Sequence, residues 1–183
     1  MASSPPQLSD TELIARVLVQ DDRRAFGELV ARHQSAVRGL LRRLTGGDLA
    51  QADDLAQETF LRAYRGLRGY RGGAKFSSWL YRIACNVFFS RDRGSREAPV
   101  ESPALEAGLS EPALLPDTLL ERYDLERALA TLKPRERAAL ILTYANELTH
   151  EEAAVILDCP LGTLKTHVAR AKEKLRLRLE EVP

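Results

Sequence analysis

The stretch Thr149-His-Glu-Glu-Ala-Ala-Val-Ile-Leu-Asp-Cys-Pro-Leu-Gly-Thr-Leu-Lys-Thr-His-Val-Ala-Arg-Ala-Lys172 decides how this chain is read. Its opening, Thr149-His-Glu-Glu152, has the form of a capping box, in which a threonine hydroxyl and a glutamate carboxylate serve each other's backbone amides. Ala153, Ile156 and Leu157 follow at helical spacing. Asp158-Cys159-Pro160 then interrupts the pattern, because proline does not continue a helix. Beyond it Leu161, Leu164, Val168, Ala171 and Leu175 step by threes and fours along one apolar seam. A capped helix, a tight break and a longer second helix together predict a helix-turn-helix.

The second helix turns Thr163, Thr166, Ala169, Arg170 and Glu173 away from its seam, with Lys165 and Lys172 on one flank and His167 and Lys174 on the other. Small polar residues at a helix start, ringed by bases, suit a major-groove reader. The N-terminal turns meet base edges there while cations meet phosphates. Spacing alone leaves a plain helical hairpin open as the other reading. His150-Glu151 begins like a zinc-protease helix, but Ala154 stands where the second ligand would be required.

Upstream, Pro134 can open a helix running through Leu140, Ile141, Leu142 and Tyr144. Farther back, the segment from Glu97 to Asp117 carries Pro99, Ser102, Pro103, Gly108, Pro112 and Pro116 without a sustained helical period, which reads as a linker. The same stretch through Glu121 holds Glu97, Glu101, Glu106, Glu111, Asp117 and Glu121 and no base. It separates two basic blocks. Arg62, Arg65, Arg68, Arg71, Lys75, Arg82, Arg91, Arg93 and Arg96 face one acid, Asp92, and Lys165, Arg170, Lys172, Lys174, Arg176 and Arg178 face only Glu173. The net charge of +1 hides this segregation, which points to two surfaces for a polyanion. Either block taken alone is equally a set of arginines solvating a helix.

The N-terminal half reads as helices too. Ser9-Asp-Thr-Glu12 is a second capping box, ahead of Leu13, Ile14, Val17 and Leu18. Phe26, Leu29, Val30, His33, Val37, Leu40, Leu41 and Leu44 form the next stripe, which Gly46-Gly47 can end, and His33 on that stripe reads as a packed histidine. A third helix, from about Leu49 to Leu67, buries Ala52, Ala56, Thr59, Ala63 and Leu67, leaving Asp54, Gln57, Glu58, Leu61 and Arg65 outward. An acidic face with a leucine at its centre is poor for DNA and suits a protein partner, an apolar anchor within a polar rim. From spacing alone it is also an ordinary solvated face with one stray leucine.

The block from Lys75 onward places Leu80, Ile83, Ala84 and Val87 at core spacing, with Arg82, Asn86 and Arg93 on another side beside Phe89. Tyr70, Phe76, Trp79, Tyr81, Phe88 and Phe89 crowd this basic block, more than half the aromatics of a chain with one Trp, five Tyr and five Phe. Single-stranded DNA requires that mixture, because phosphates need charge and unstacked bases need a flat face. Phe76 and Trp79 also fit a purely structural role in the core, and for Trp79 spacing favours it.

Composition bounds the rest. A chain of 183 residues with 44% apolar content suits two small helical domains in an all-α fold. No run approaches the roughly 18 apolar residues of a membrane span. The start, Met1-Ala-Ser-Ser-Pro-Pro6, does not read as a signal peptide. Cys85 and Cys159 lie far apart without ligand-spaced neighbours, so neither a disulfide scaffold nor a zinc site is expected, and the reading is cytoplasmic with no cofactor, no metal and no membrane insertion.

Three segments carry a family resemblance: Asp54-Leu-Ala-Gln-Glu-Thr-Phe-Leu-Arg-Ala-Tyr64, Phe76-Ser-Ser-Trp-Leu-Tyr-Arg-Ile-Ala-Cys-Asn86 and Gly162-Thr-Leu-Lys-Thr-His-Val-Ala-Arg-Ala-Lys172. In this order and separation the chain resembles bacterial RNA polymerase sigma factors of the extracytoplasmic-function type, which keep only regions 2 and 4. The resemblance implies a tail over 1–8, region 2 over 9–96, the linker over 97–117 and region 4 over 118–183. It implies that Asp54, Gln57, Glu58 and Leu61 dock on the β′ clamp helices of core polymerase. Phe76, Trp79, Arg82, Asn86, Phe89 and Arg93 would melt and hold the −10 element. Thr163, Lys165, Thr166, His167, Arg170 and Lys174 would read the −35 duplex, with region 4 on the β flap. An anti-sigma factor is the implied regulator, and the polymerase supplies the chemistry, so no catalytic residue is implied. The chain departs from the usual pattern at Val87-Phe-Phe-Ser-Arg-Asp-Arg93, which replaces a basic run, and at His167, where Arg is usual. A stand-alone duplex regulator would need neither the aromatic-basic block nor the acidic docking face. A nuclease would need acids converging on a metal, whereas these acids lie along a helix face or in the linker.

Overall fold

The computed structural model describes residues 8–97 and 127–180, with backbone only for 93–97 and 179–180. The expected N-terminal tail, most of the linker and the side chain of Arg93 lie outside the described residues. The described chain includes the α-helices α1 (Asp10–Gln20), α2 (Arg23–Leu44), α3 (Leu49–Gly66), α4 (Phe76–Glu97), α5 (Pro134–Leu140), α6 (His150–Ile156) and α7 (Leu161–Glu180), with a 3-10 turn at Leu67–Gly69 and further helical residues over 127–130. The all-α fold read from the sequence is the fold observed, and the described residues contain no strand.

Four of the helices, α1, α2, α3 and α6, begin where a side chain satisfies free amides. The Ser9 hydroxyl accepts from the Glu12 amide at 3.3 Å, while the Ser9 amide donates to Glu12 Oε2 at 2.7 Å. Asp22 caps α2 by accepting from the Arg24 and Ala25 amides, and Asp48 caps α3 by accepting from Gln51. Gly46 and Gly47, at φ +71° and +95°, carry the chain out of α2 in the left-handed region that side chains resist. The Gly47 amide returns to the Arg42 carbonyl at 2.9 Å.

α1 to α4 bury one core of Leu13, Leu29, Leu40, Leu41, Leu44, Leu55, Leu67 and Leu80, all essentially inaccessible. The small seam on α3, Ala52, Ala56 and Ala63 with Thr59, lets it lie close against α2 and α4, and the Thr59 hydroxyl donates back to the Leu55 carbonyl at 2.7 Å. Each such leucine contributes on the order of 2–5 kcal/mol, judged by what truncation to alanine costs.

The C-terminal helices bury Leu132, Leu142, Ala153, Ile156, Leu157, Leu164, Val168 and Ala171. Pro134 opens α5 as expected, but the helix does not run on as an α-helix: Ile141–Ala145 widens into a π-turn. The Asn146 amide donates five residues back to Ile141, and Glu147 takes φ +54° before the Thr149 cap. Thr149 and Glu152 form the expected capping box, with Asp158 at φ +51° turning the chain between α6 and α7. The helix-turn-helix is thus α6, a left-handed residue and α7.

The two helical groups also pack on each other. α4 lies against α6, and α2 against α5 and the π-turn. One hydrophobic cluster runs through both. Nothing in the periodicity announced that joint.

Candidate nucleic-acid interfaces

α7 positions the face expected to read duplex DNA. Leu164, Val168 and Ala171 are buried, so Thr163, Lys165, Thr166 and Arg170 are exposed together on its opposite side. The Thr166 hydroxyl donates to the Gly162 carbonyl at 2.9 Å, leaving its oxygen able to accept. Two of the expected contacts are placed differently. His167 is half-buried, and its Nδ1 is buried without a hydrogen-bond partner. Burial pushes its pKa down against the opposing pull of Glu136, so the imidazole is neutral at physiological pH and brings no cation to the face. Lys174 donates to Glu136 Oε2 at 2.6 Å. Glu136 is 3% exposed on α5, so this bond ties the C-terminal half of α7 to the helix beneath it. Burial pushes the Glu136 carboxyl up, but the bonds and charges of Lys174 and Lys133 outweigh that and hold it below the ordinary range.

α4 positions the aromatic-basic face. Phe76 is 4% exposed, stacked on Trp79 with centroids 5.6 Å apart and edge-on to His33 and Tyr70. It is a core residue that supports Trp79, with no open face for a base. His33 is the packed histidine expected, its Nε2 2.7 Å from Asp10 Oδ2. Trp79 is half-buried, Arg82 and Asn86 are exposed, and Phe89 is half-buried. Arg82 faces Asp158 at 3.6 Å, and the Arg135 guanidinium sits 5.3 Å over the Phe89 ring. An open groove of about 560 Å³ separates this part of α4 from α6. Its walls include Tyr70, Lys75, Trp79 and Arg82 on one side and Glu151, Val155 and Ile156 on the other.

α3 presents the acidic face. Asp54 and Gln57 are exposed, Glu58 is half-buried and accepts from Arg62 Nε at 2.6 Å, and Leu61 is 52% exposed. Asp54 lies 3.8 Å from Arg91. Beside Leu61 runs a groove of about 340 Å³ between α2 and α3, with Phe26, Val30, Phe60 and Tyr64 in its walls. The sequence placed Phe26 and Val30 on a core stripe; they are half-buried and line the rim instead. The signal was available in the width of that stripe, which is broader than one buried face needs.

Among the described residues no group of three or more His, Cys, Asp or Glu is placed to hold a metal ion, and no helix is long and apolar enough to cross a membrane. Burial pushes the Cys85 thiol up to about 12, which makes it inert, and no disulfide joins it to Cys159.

A helical bundle joined to a helix-turn-helix, with bases and aromatics on one and a polar, basic reading helix on the other, defines a DNA-binding protein of transcription. The family model for Sigma-70 region 2 matches residues 29–96 and that for Sigma-70 region 4 matches residues 122–175. The ECF RNA polymerase sigma-E factor of Escherichia coli (strain K12) is 35% identical over 182 residues, spanning 92% of this chain and 93% of its own. The RNA polymerase sigma-H factor of Pseudomonas aeruginosa is 33% identical over 95% of each chain. Among solved structures, the sigma factor RpoE in complex with the anti-sigma factor NepR from Bartonella quintana matches with a TM-score of 0.67 at 28% identity, over 86% of this chain and 98% of that one. CnrH, in complex with the cytosolic domain of CnrY, matches with a TM-score of 0.70 at 25% identity, over 95% and 99%. The chain belongs to the ECF sigma factors of RNA polymerase, and it is a promoter-recognising sigma factor.

Proposed function

We propose that this sigma factor docks on core RNA polymerase through α3, melts and holds the −10 element with α4, and reads the −35 duplex with α7. The observation that carries this division is that the three faces lie on three different helices, each with its back in the core. Asp54, Gln57 and Leu61 on α3 are exposed on one face, and Thr163, Lys165, Thr166 and Arg170 on α7 on another. On this reading Leu61 enters the β′ clamp helices as the apolar anchor, extended by the Phe26–Tyr64 groove, while Asp54 and Glu58 supply the charged rim. Trp79, Arg82, Asn86 and Phe89 offer stacking surface and charge to unpaired bases, with Arg93 beyond them in the sequence. The C-terminal helices rest on the β flap.

The chain contributes no catalytic group, because the polymerase performs the chemistry, and it works without a cofactor in the cytoplasm. Weak recognition at two elements multiplies once both readers are mounted on one enzyme. The linker over 97–117 sets reach between the units over 9–96 and 118–183. An anti-sigma factor is the regulator expected, as NepR is for the Bartonella relative. A stand-alone duplex regulator is not favoured, since the family matches cover both units and not the helix-turn-helix alone.

The test is charge reversal on α3. Asp54→Lys with Glu58→Lys points new charge outward from a helix whose buried seam is untouched, so the fold survives. Co-purification with core polymerase is lost if the docking face is correct; normal co-purification of the folded double variant would remove α3 from the interface.

A further inference from the structure

One edge of α7 is met by a residue that no helical wheel of α7 can show, Tyr144. It lies in the π-turn Ile141–Ala145. Ile141 and Leu142 are buried at the start of that turn, and the Thr143 hydroxyl donates back to the Ala139 carbonyl at 2.8 Å. In a regular α-helix the residue three places after Ile141 falls on nearly the same face as Ile141 itself. The wider turn, closed by the Asn146 amide on the Ile141 carbonyl at 3.1 Å, carries that residue farther round. Tyr144 is accordingly 55% exposed, a large aromatic held out of the core beside α7.

Lys172 of α7 sets its ammonium over this ring, with Nζ 4.5 Å from the centroid. Neighbouring charges on α7 are settled differently: Lys174 goes to Glu136, and Glu173 to Arg176. Among the described residues no carboxylate takes Lys172. A ring face attracts an ammonium without neutralising it, and the three N–H donors are not consumed by a carboxylate. The charge therefore stays available to an anion, while the ring restricts where a long, flexible stem can place it. Lys172 also stands seven residues beyond Lys165, two turns along the same edge of α7, and both are exposed.

We infer that Tyr144 is a positioning residue for −35 recognition: its ring holds Lys172 toward the DNA backbone at the edge of the face that carries Thr166 and Arg170. The inference rests on the assignment of α7 as the −35 reader. Lys172 meets a phosphate and Tyr144 acts through it, so the pair adds affinity for every sequence and discrimination for none. The gain is preorganisation, because a lysine already restrained by a ring loses less rotamer freedom when it meets the phosphate. The π-turn is what makes this possible, since it turns the ring from the core to the edge of α7.

A double-mutant cycle on holoenzymes tests the coupling. Binding is read by fluorescence anisotropy, at several salt concentrations, on a duplex enriched from a random-sequence pool by the wild-type holoenzyme. Tyr144→Ala should weaken binding about two- to fivefold, the range of an exposed cation–π contact. Tyr144→Phe should keep wild-type affinity, because the ring and not the hydroxyl holds the ammonium. Lys172→Ala should weaken binding and lower the slope of log affinity against log salt by about one, the mark of one lost phosphate contact. In the Lys172→Ala background, Tyr144→Ala should have no further effect. A merely structural Tyr144 would instead lower affinity in both backgrounds, and such additive losses would overturn the inference. Unchanged affinity in Tyr144→Ala would overturn it too, as would a Tyr144→Phe chain as weak as Tyr144→Ala, which would put the hydroxyl itself on DNA. Failure of the −35 assignment shows separately, because Arg170→Ala would then also bind the duplex like the wild type.

Discussion

α7 and α4 are both amphipathic helices with a basic face that we assign to DNA, but one face stands open and the other is covered. On α7 a single continuous seam of Leu164, Val168 and Ala171 is buried, and Thr163, Thr166 and Arg170 are exposed. On α4 the reading face holds large aromatics, Trp79 and Phe89, and these attract cover: α6 across a groove and Arg135 over a ring. On the proposed roles, the difference matches the ligands. Duplex DNA is read by small side chains that water can solvate in the meantime, whereas unpaired bases need flat apolar surface that is costly to leave exposed.

That comparison can be broken at several strengths. The hardest blow is Leu164→Asp, which buries a charge beneath α7 and collapses the helix-turn-helix. Binding to −35 duplex should vanish while α1 to α4 keep their packing and core polymerase is still bound. Loss of polymerase binding in parallel would show that the two units do not act separately.

Lys174→Ala sharpens the picture of α7 as a braced helix. It strands the Glu136 carboxylate in a buried site, a cost of about 1–3 kcal/mol in thermal or denaturant unfolding. Adding Glu136→Gln should recover much of that loss, which no phosphate contact could explain. The same pair sets a pH dependence. The folded carboxyl titrates below its ordinary value, so its stabilisation is complete above the unfolded pKa and is lost as pH falls through the folded one. Glu136→Gln should flatten that acid limb of the melting curve; an unchanged limb would place the titration elsewhere. The smallest effect is expected from scrambling residues 97–117 at constant length and composition, which should leave transcription nearly intact because a tether acts through reach. A severe loss in a folded scramble would mean that the segment makes specific contacts.

Helices were legible where a cap or a period announces them: Ser9, Thr149 and the Gly46-Gly47 exit are all found in the roles their sequence predicts. The outward faces of α3 and α7 followed from the same arithmetic, since burying Ala56 or Val168 leaves Leu61 or Arg170 no choice. The relation between units was not legible. Arg135, Glu136 and Arg137 look like an ordinary charged first turn, yet one covers Phe89, one is buried beneath Lys174 and one crosses to Leu44. Periodicity assigns a residue to a face, and only the assembled structure says what meets that face. The placement of Phe76 in the core and the tie of Lys174 to Glu136 escaped periodicity on that account, the first drawn inward by its ring neighbours and the second by a carboxylate from another helix.

The central claim is the division of labour between α7 and α4, and one experiment tests it most directly. Holoenzymes carrying Arg170→Ala or Asn86→Ala are titrated by fluorescence anisotropy onto a −35 duplex and onto a pre-melted −10 bubble, at several salt concentrations. Arg170→Ala should weaken duplex binding by about 1–3 kcal/mol and spare the bubble, as expected for loss of a base contact. Asn86→Ala should do the reverse. If the two variants give the same profile on both probes, the assignment of separate readers is wrong.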